Sequence, residues 1–281
     1  MRLATLIADC IEKLKAVGIE SASLDARLLA GHVLGLDRVR ILSQSEREIS
    51  ASDVAAVMAL IERRAKRESV GRIIGRREFW GLEFGLNEAT LEPRPDSETL
   101  VEGVLRQAPR AKRVLDLGTG TGCLLLALLH EMPEATGLGI DVSARAVEQA
   151  RANAMALGLA ERSAFREGNW FAGVEEKFDV IVSNPPYIPA GDIAGLMPEV
   201  REYDPMLALE GGADGLAPYR IMVPQMRAFL NTGGVAAVEL GIGQADEVKR
   251  LFEKAGFKAI EAWRDLGRVE RCVVGLVDAH E

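Results

Sequence analysis

The chain has 281 residues, room for about two domains, with 48% apolar and 27% charged residues and a formal net charge of −8. That composition excludes a disordered, collagenous or disulfide-framed chain. The acidic balance opposes a general nucleic-acid binder, which needs positive charge to meet phosphates.

In chain order, the first 70 residues predict helices. Leu3, Leu6, Ile7, Cys10, Ile11, Leu14 and Val17 recur at spacings of three and four, and Gly18 supplies a stop. A second helix is predicted from about Ser23 to Val33, ending near Gly35. Ser50 to Asp53 has capping-box spacing ahead of Val54, Val57, Met58 and Ile61. Residues 62–68, extended by Arg72, Arg76 and Arg77, hold seven basic against two acidic side chains. The run reads first as a solvated helix C-terminus favoured by the macrodipole. Its second reading is a docking face for an acidic partner, with Arg63, Arg64 and Arg67 in it.

Leu82, Phe84 and Leu86 alternate between glycines and predict a hairpin joining two domains, with Trp80 as packing between them. Pro93 and Pro95 keep residues 92–96 out of regular helix, and helix resumes with Leu100, Val101, Val104 and Leu105. From residue 113 strands and helices alternate. Strands are predicted at 114–117, 136–140, 178–182, 235–240, 258–263 and 272–277. Helices fall at 124–129, 144–156 (Ser143 as N-cap), 219–230 and 244–254. This predicts right-handed βαβ units and a mostly parallel sheet. Residues 189–215 read as a long loop, either a lid or a surface excursion.

The charge divides unevenly over these parts. Residues 1–70 carry 11 basic and 10 acidic side chains, 71–112 carry seven of each, and 113–281 carry 16 and 25. Cys10, Cys123 and Cys272 lie in apolar runs without CxxC spacing and read as buried thiols of a reducing compartment. His32, His130 and His280 are scattered, and no cluster has metal-ligand spacing. The longest apolar stretch, 123–129, is too short to span a bilayer. The N-terminus, running into Asp9 and Glu12, reads as an amphipathic helix rather than a signal peptide. A cytoplasmic protein without metal or membrane contact is expected.

Two motifs carry chemistry. Asp116-Leu117-Gly118-Thr119-Gly120-Thr121-Gly122 lies between a strand and its helix. Its glycines turn the backbone tightly and let a ligand approach without Cβ obstruction, beside the free N–H groups of the following helix. Asp141 ends the next strand, where in open α/β sheets an acidic side chain accepts hydrogen bonds from ribose hydroxyls. Alone, the turn fits NAD, adenosylmethionine or no ligand at all, and Cys123 stands where the last glycine of GxGxxG would be. Asp116 reads as a ligand group or as a backbone cap.

The second motif, Asn184-Pro185-Pro186-Tyr187, follows a buried strand. Its plain reading is a proline-ended turn. Its chemical reading is a rigid pair of acceptors, because the Asn184 side-chain carbonyl and the Pro185 backbone carbonyl can each take one N–H of an NH2 group. Tyr187 can pack on a flat conjugated group. Such nitrogens are poor nucleophiles, because their lone pair is delocalised. Two acceptors raise their electron density and orient them for in-line attack on a sulfonium methyl, a geometry that can be worth an effective molarity of roughly 10⁵ M or more. Together the motifs point to methyl transfer onto an NH2 nitrogen.

With these motifs the chain resembles the protein-(glutamine-N5) methyltransferases of the HemK/PrmC type over nearly its whole length. Gly75-Arg76-Arg77-Glu78-Phe79-Trp80 and Pro93-Arg94-Pro95-Asp96-Ser97-Glu98 carry the resemblance beyond the two motifs. Glu92 departs from it, standing where an apolar residue is usual, and 265–268 is a variable stretch. The resemblance implies an α/β fold, a seven-stranded Rossmann-like S-adenosylmethionine-dependent methyltransferase domain at 96–281. A small all-helical domain at 1–72, recognising the substrate protein, and a β-hairpin linker at 73–95 would precede it. It implies that the substrate is the glutamine of the Gly-Gly-Gln motif in class 1 peptide chain release factors. S-adenosylmethionine would be held by Gly118, Thr119, Gly120, Thr121 and Gly122, with Asp141 on the ribose and Asn169 and Trp170 near the adenine. Trp170 also reads as a plain core aromatic. Asn184, Pro185, Pro186 and Tyr187 would hold the glutamine amide, Asn184 and Pro185 being catalytic and Asn184 also facing the cofactor. A monomer without direct nucleic-acid contact is expected. The alternatives are an adenine-N6 or guanine-N2 nucleic-acid methyltransferase, which would want a basic groove, an NAD-dependent oxidoreductase, and a cofactor-binding module without catalysis.

Overall fold

The computed structural model describes residues 1–278, so His280 lies outside the described residues. The chain forms two compact units: Met1–Gly75 with Met197–Tyr203, and Arg76–Leu196 with the residues from Asp204 onward.

The first unit is built on α1 (Leu3–Ala16), α2 (Ala22–Leu34), α3 (Arg38–Ser43), α4 (Ala51–Ala65) and α5 (Val70–Ile74). The apolar stripe of α1 buries Leu3, Leu6, Ile7, Cys10 and Leu14 among Ala26, Leu29 and Ala30 of α2 and Val57 and Ile61 of α4. Ser50 caps α4 by accepting from Asp53 N at 3.1 Å, and Ser69 caps α5 by accepting from Arg72 N at 3.2 Å. At six and five residues, α3 and α5 are too short to show a helical period in sequence.

The basic run at the end of α4 is not a free face. Arg63 is held by Glu68 and Arg67 by Glu199, and Arg64 is buried. Arg64 Nε donates to Asp25 Oδ2 at 2.8 Å and its guanidinium to Glu199 Oε1 at 3.0 Å. These arginines therefore neutralise carboxylates of their own unit.

The second unit opens with the hairpin β1 (Arg76–Phe79) and β2 (Leu82–Gly85), paired from Arg76↔Gly85 to Phe79↔Leu82. Its turn, Trp80-Gly81, has φ of 54° and 69°, the positive pair that matches a two-residue turn to the strand twist. Then follow α6 (Glu98–Gln107), β3 (Arg113–Leu117), α7 (Cys123–Glu131), β4 (Thr136–Asp141), α8 (Ala144–Ala156), β5 (Ser163–Glu167) and β6 (Phe178–Ser183). The chain continues through α9 (Pro198–Arg201), α10 (Ala217–Met226), β7 (Leu230–Glu239), α11 (Ala245–Lys254), β8 (Lys258–Arg264) and β9 (Glu270–Leu276).

The seven-stranded sheet has the order β5-β4-β3-β6-β7-β9-β8. The first five of these are parallel, and β9 runs antiparallel to both neighbours. Period-two alternation feeds two cores. Val114, Val180 and Val182 face α6, α7 and α8, while Leu115, Leu117 and Ile181 face α10 and α11. The order reverses on either side of β3. A crevice for a ligand opens at such a switch, beyond the strands' carboxyl ends.

Three expectations are corrected. The seventh strand that the resemblance implied, β5, had been given no residue range, because it buries only Phe165 and shows no continuous apolar run. The stretch 189–215 is not a plain loop: it carries the 3₁₀ turns Ala190–Gly195 and Met206–Ala208 as well as α9, and a bridge between Ile188 and Glu210. Helix α10 ends at Met226, four residues earlier than its apolar pattern suggested. Among the described residues no helix is long and apolar enough to cross a membrane, and no His/Cys/Asp/Glu group could hold a metal ion.

Candidate active site

The glycine turn leaves β3 with Gly118 and Gly120 at φ of 72° and 55°. Both conformations favour glycine. A Cβ on Gly120 would meet nothing within 4 Å, so that face of the loop is open. The loop is pinned from behind. Gly118 N and Thr119 N both donate to Ile140 O, at 2.8 and 3.0 Å. Asn153, buried on α8, donates to Thr121 O at 2.8 Å and to Gly85 O at 3.1 Å, tying the turn to β2. Gly122 has a different role. A Cβ there would lie 3.2–3.3 Å from Leu126, Ala150 and Phe165, so this glycine lets α7 pack.

Two carboxylates underlie the loop. Asp141 accepts from Gly120 N and Ser143 N, each at 2.9 Å. Burial raises its pKa while those hydrogen bonds oppose the rise. Asp116 is wholly buried and accepts from Thr119 Oγ1 at 2.6 Å through Oδ2, while Oδ1 has no partner. Burial, with the charge of Asp141 adding, pushes Asp116 up to about 7. The Cys123 thiol is pushed up to about 12 by burial, which keeps it neutral and unreactive.

Asp141, Cys123 and the turn from Gly118 to Thr121 border a cavity of about 420 Å³, within the range of small-molecule sites, while Asp116 lies buried behind its wall. Of the residues singled out in sequence, Gly118, Thr119, Gly120, Thr121, Asp141, Asn169, Trp170, Asn184 and Pro186 line it. Trp170 lines the cavity with φ of 51°, left-handed for a bulky side chain. Such a conformation persists only where the surroundings enforce it. Gly122, Pro185 and Tyr187 are not on its wall. Pro185 is buried. Tyr187 is half-buried, with its carbonyl accepting from Gln244 Nε2 at 2.9 Å and its hydroxyl 3.5 Å from Glu239 Oε1. Burial, with Glu239 adding, raises the Tyr187 phenol well above its ordinary range.

Asn184 sits where β6 ends. Ser183 Oγ ties that strand end to Leu117 O at 2.7 Å, so both motifs leave the sheet side by side. Asn184 Nδ2 donates to Ser97 Oγ at 3.2 Å. Sequence reasoning did not single out Ser97 or Arg94 as wall residues, nor Glu239 behind them. The Pro-Arg-Pro segment was the available signal, since two prolines stiffen the chain that carries Arg94 and Ser97. Arg94 is paired with the buried Asp204 at 2.6 Å. Glu92, the departure noted above, is buried and pairs with Arg77 at 3.4 Å.

Comparison with known proteins places this geometry in context. The PrmC N-terminal domain family matches residues 5–75, and the methyltransferase small domain family matches residues 94–196. A release factor glutamine methyltransferase of Rhodospirillum rubrum is 51% identical over 93% of this chain and 81% of its own length. One of Caulobacter vibrioides is 44% identical over 94% and 93%, and one of Aliivibrio fischeri 35% identical over 98% and 97%. Among solved structures, a methyltransferase of Pyrococcus furiosus aligns with a TM-score of 0.52 at 19% identity, over 77% of this chain and 98% of that one. The hMettl16 catalytic domain aligns with a TM-score of 0.59 at 14% identity, over 79% and 82%. These two show the shared fold alone.

Proposed function

The chain belongs to the release factor glutamine methyltransferases, and from that premise we propose that it methylates the side-chain amide nitrogen, N5, of the glutamine in the Gly-Gly-Gln motif of class 1 release factors, with S-adenosylmethionine as donor. One observation carries the reading: Asn184, the glycine turn Gly118–Thr121 and Asp141 line a single cavity. A carboxamide acceptor and a nucleoside cradle thereby share one space.

The residues fit the cofactor on two counts. The bare Asp116 Oδ1 lies buried near a loop whose Gly120 has open space where a Cβ would stand. An ionised Asp116 and Asp141 suit a cationic ligand, and Asp141 can accept from ribose hydroxyls while keeping its backbone bonds. Asn169 and Trp170 supply a polar edge and a flat face for the base. When bound, S-adenosylmethionine supplies an electrophilic methyl on a sulfonium.

This chain's residues make the amide nitrogen ready. Asn184 Oδ1, on the cavity wall, accepts one N–H of the glutamine carboxamide, and we assign the other to the carbonyl of Pro185, which is itself buried but joins the two wall residues Asn184 and Pro186. Both acceptors raise electron density on the nitrogen as the bond to carbon forms and hold its lone pair in line. The surplus proton leaves afterwards, so no wall residue has to act as a base beforehand. Pro185 and Pro186 stiffen the backbone, which keeps the pair of acceptors in register. We assign the helical unit the recognition of the release factor, and place the reaction in the cytoplasm with translation, carried out by a monomer.

The test is incorporation of labelled methyl from S-adenosylmethionine into release factor, duplex DNA and ribosomal RNA offered in parallel. Label on the release factor glutamine alone is expected. Label confined to nucleic acid overturns the reading, as does a chain that binds the donor and labels nothing.

A further inference from the structure

Two consecutive prolines bring a structural problem along with their stiffness. Neither Pro185 nor Pro186 has an N–H, so the backbone leaving β6 cannot hold itself to a neighbour by donating at either position. Ser183 is the last residue of β6 in the sheet, paired with Leu117 of β3 and Val238 of β7. The chain is pinned again at Ile188, whose N donates to Leu209 O at 2.9 Å and whose O accepts from Gly211 N at 2.8 Å. Between those points lies Tyr187, whose carbonyl accepts from Gln244 Nε2 at 2.9 Å.

Gln244 uses both ends of its carboxamide. Oε1 accepts from Gly241 N at 2.9 Å, while Nε2 reaches the Tyr187 carbonyl. A backbone N–H only donates and a carbonyl only accepts, so this amide fits in one orientation. Gln244 stands at the N-terminal boundary of α11 yet makes no side-chain cap there, where Ser, Thr, Asp, Asn or Gly is the ordinary choice. Its side chain serves the loop instead. The surrounding backbone is fitted to the same loop. A Cβ on Gly211 would lie 2.8 Å from both Pro186 O and Tyr187 Cα, and one on Gly215 would lie 2.2 Å from Tyr187 O. Residues 186 and 187 therefore rest directly on main chain, with no room for a side chain between.

We propose that Gln244 is a positioning residue for methyl transfer: through the Tyr187 carbonyl it fixes the Asn184-Pro185-Pro186-Tyr187 loop against the cavity, and with it the two amide acceptors. The inference rests on the reading that Asn184 and Pro185 accept the N–H groups of the glutamine amide, and it names what holds them in place. Gln244 is not on the cavity wall, so it acts through the loop and not on the substrate. The lever is short and stiff. Pro186, on the wall, directly precedes Tyr187. The two prolines, each with φ locked by its ring, join Tyr187 to Asn184. A shift at the Tyr187 carbonyl is therefore passed on to Asn184 instead of being absorbed by free rotation. Misplacing an aligned reactant by about 1 Å can lower a rate by about 10²-fold.

The experiment measures kcat and KM for release factor at saturating donor, with donor affinity and thermal melting, for wild type and three variants that separate the two ends of the side chain. Gln244→Lys keeps a donor for the Tyr187 carbonyl and gives up the acceptor for Gly241 N. Gln244→Glu keeps that acceptor and turns a second oxygen onto the Tyr187 carbonyl, where two acceptors repel. Gln244→Met keeps the bulk and makes neither contact. Turnover is expected to fall from wild type through Gln244→Lys and Gln244→Met to Gln244→Glu. The last should lie about tenfold or more below wild type, the scale of one hydrogen bond in the reacting complex. KM and donor affinity should stay near wild type, because the glycine turn, Asp141 and most of the protein–protein contact are untouched. If Gln244→Glu does not fold, Gln244→Lys above Gln244→Met in kcat carries the same expectation. A role confined to the turn between β7 and α11 gives the reverse order, Gln244→Glu above Gln244→Lys, and overturns the inference alone, as does a wild-type kcat in all three variants. A wild-type chain that labels no glutamine overturns the preceding reading, and this inference falls with it.

Discussion

Replacing Arg64 with Met removes a charge that the sequence placed on a solvated helix end and the structure places inside the helical unit. Arg64 and Asp25 side chains are each 8% exposed and Glu199 is 14% exposed. Two guanidinium groups, Arg64 and Arg67, balance the two carboxylates. Without Arg64, Asp25 keeps only its bond from Ser21 Oγ at 2.8 Å, and the buried Asp25 and the half-buried Glu199 face one remaining cation. Breaking a buried pair from one side costs about 3–5 kcal/mol, against a total stability of about 5–15 kcal/mol for a domain. At about 4–8 °C per kcal/mol for a unit of this size, melting of the first unit should fall by roughly 12 °C or more. A surface arginine would move stability by about 0.5 kcal/mol at most. Thermal unfolding of the full chain, with hydrogen exchange resolved on α4 and on residues 197–203, separates the two. Both segments should lose protection together. A melting temperature within about 2 °C of wild type, with exchange unchanged, would refute the buried-network reasoning. On the same grounds, charge reversal at Arg63, Arg64 and Arg67 should unfold the unit before it reveals any docking defect.

Other outcomes follow from the site. Asn184→Ala should leave donor affinity intact and lower kcat by about 10²-fold or more, the scale of one lost acceptor or donor aimed at a transition state; normal turnover would remove Asn184 from the mechanism. Gly120→Val would strain a φ of 55° and fill open cavity space, so calorimetry should show donor binding lost while circular dichroism stays native. Asp116, at about 7, is ionised only above that pH. Donor affinity should therefore strengthen as pH rises through 7, with proton release on binding, and Asp116→Asn should abolish the dependence; a flat titration from about pH 6 to 8 would refute it. Glu199 is depressed: burial works to raise it, but hydrogen bonds from its own backbone, Arg64 and Arg67 outweigh that. A depressed acid stabilises above its unfolded pKa and loses this on acidification. The helical unit should thus melt earlier as pH drops below about 4.5, and Glu199→Gln should blunt that acid limb.

Local chemistry determined much by itself. The stripe of α1, the Ser50 and Ser143 caps, the apolar strands and the glycine turn were legible because period, cap and turn are written in neighbouring residues. So were nine residues of the cavity wall, because each motif is a short run at a strand end. The tertiary structure decided what depends on partners far along the chain. Arg64 reads as solvated until Asp25 and Glu199, 39 and 135 residues away, close on it. Ser97 and Asn184 are 87 residues apart, and Glu239 arrives only because β7 pairs with β6 in the sheet. The insertion of β9 between β7 and β8, and the edge strand β5, likewise left no mark on local pattern. Strand order is an agreement among distant backbones, whereas sequence periodicity records only which face of each element meets a core.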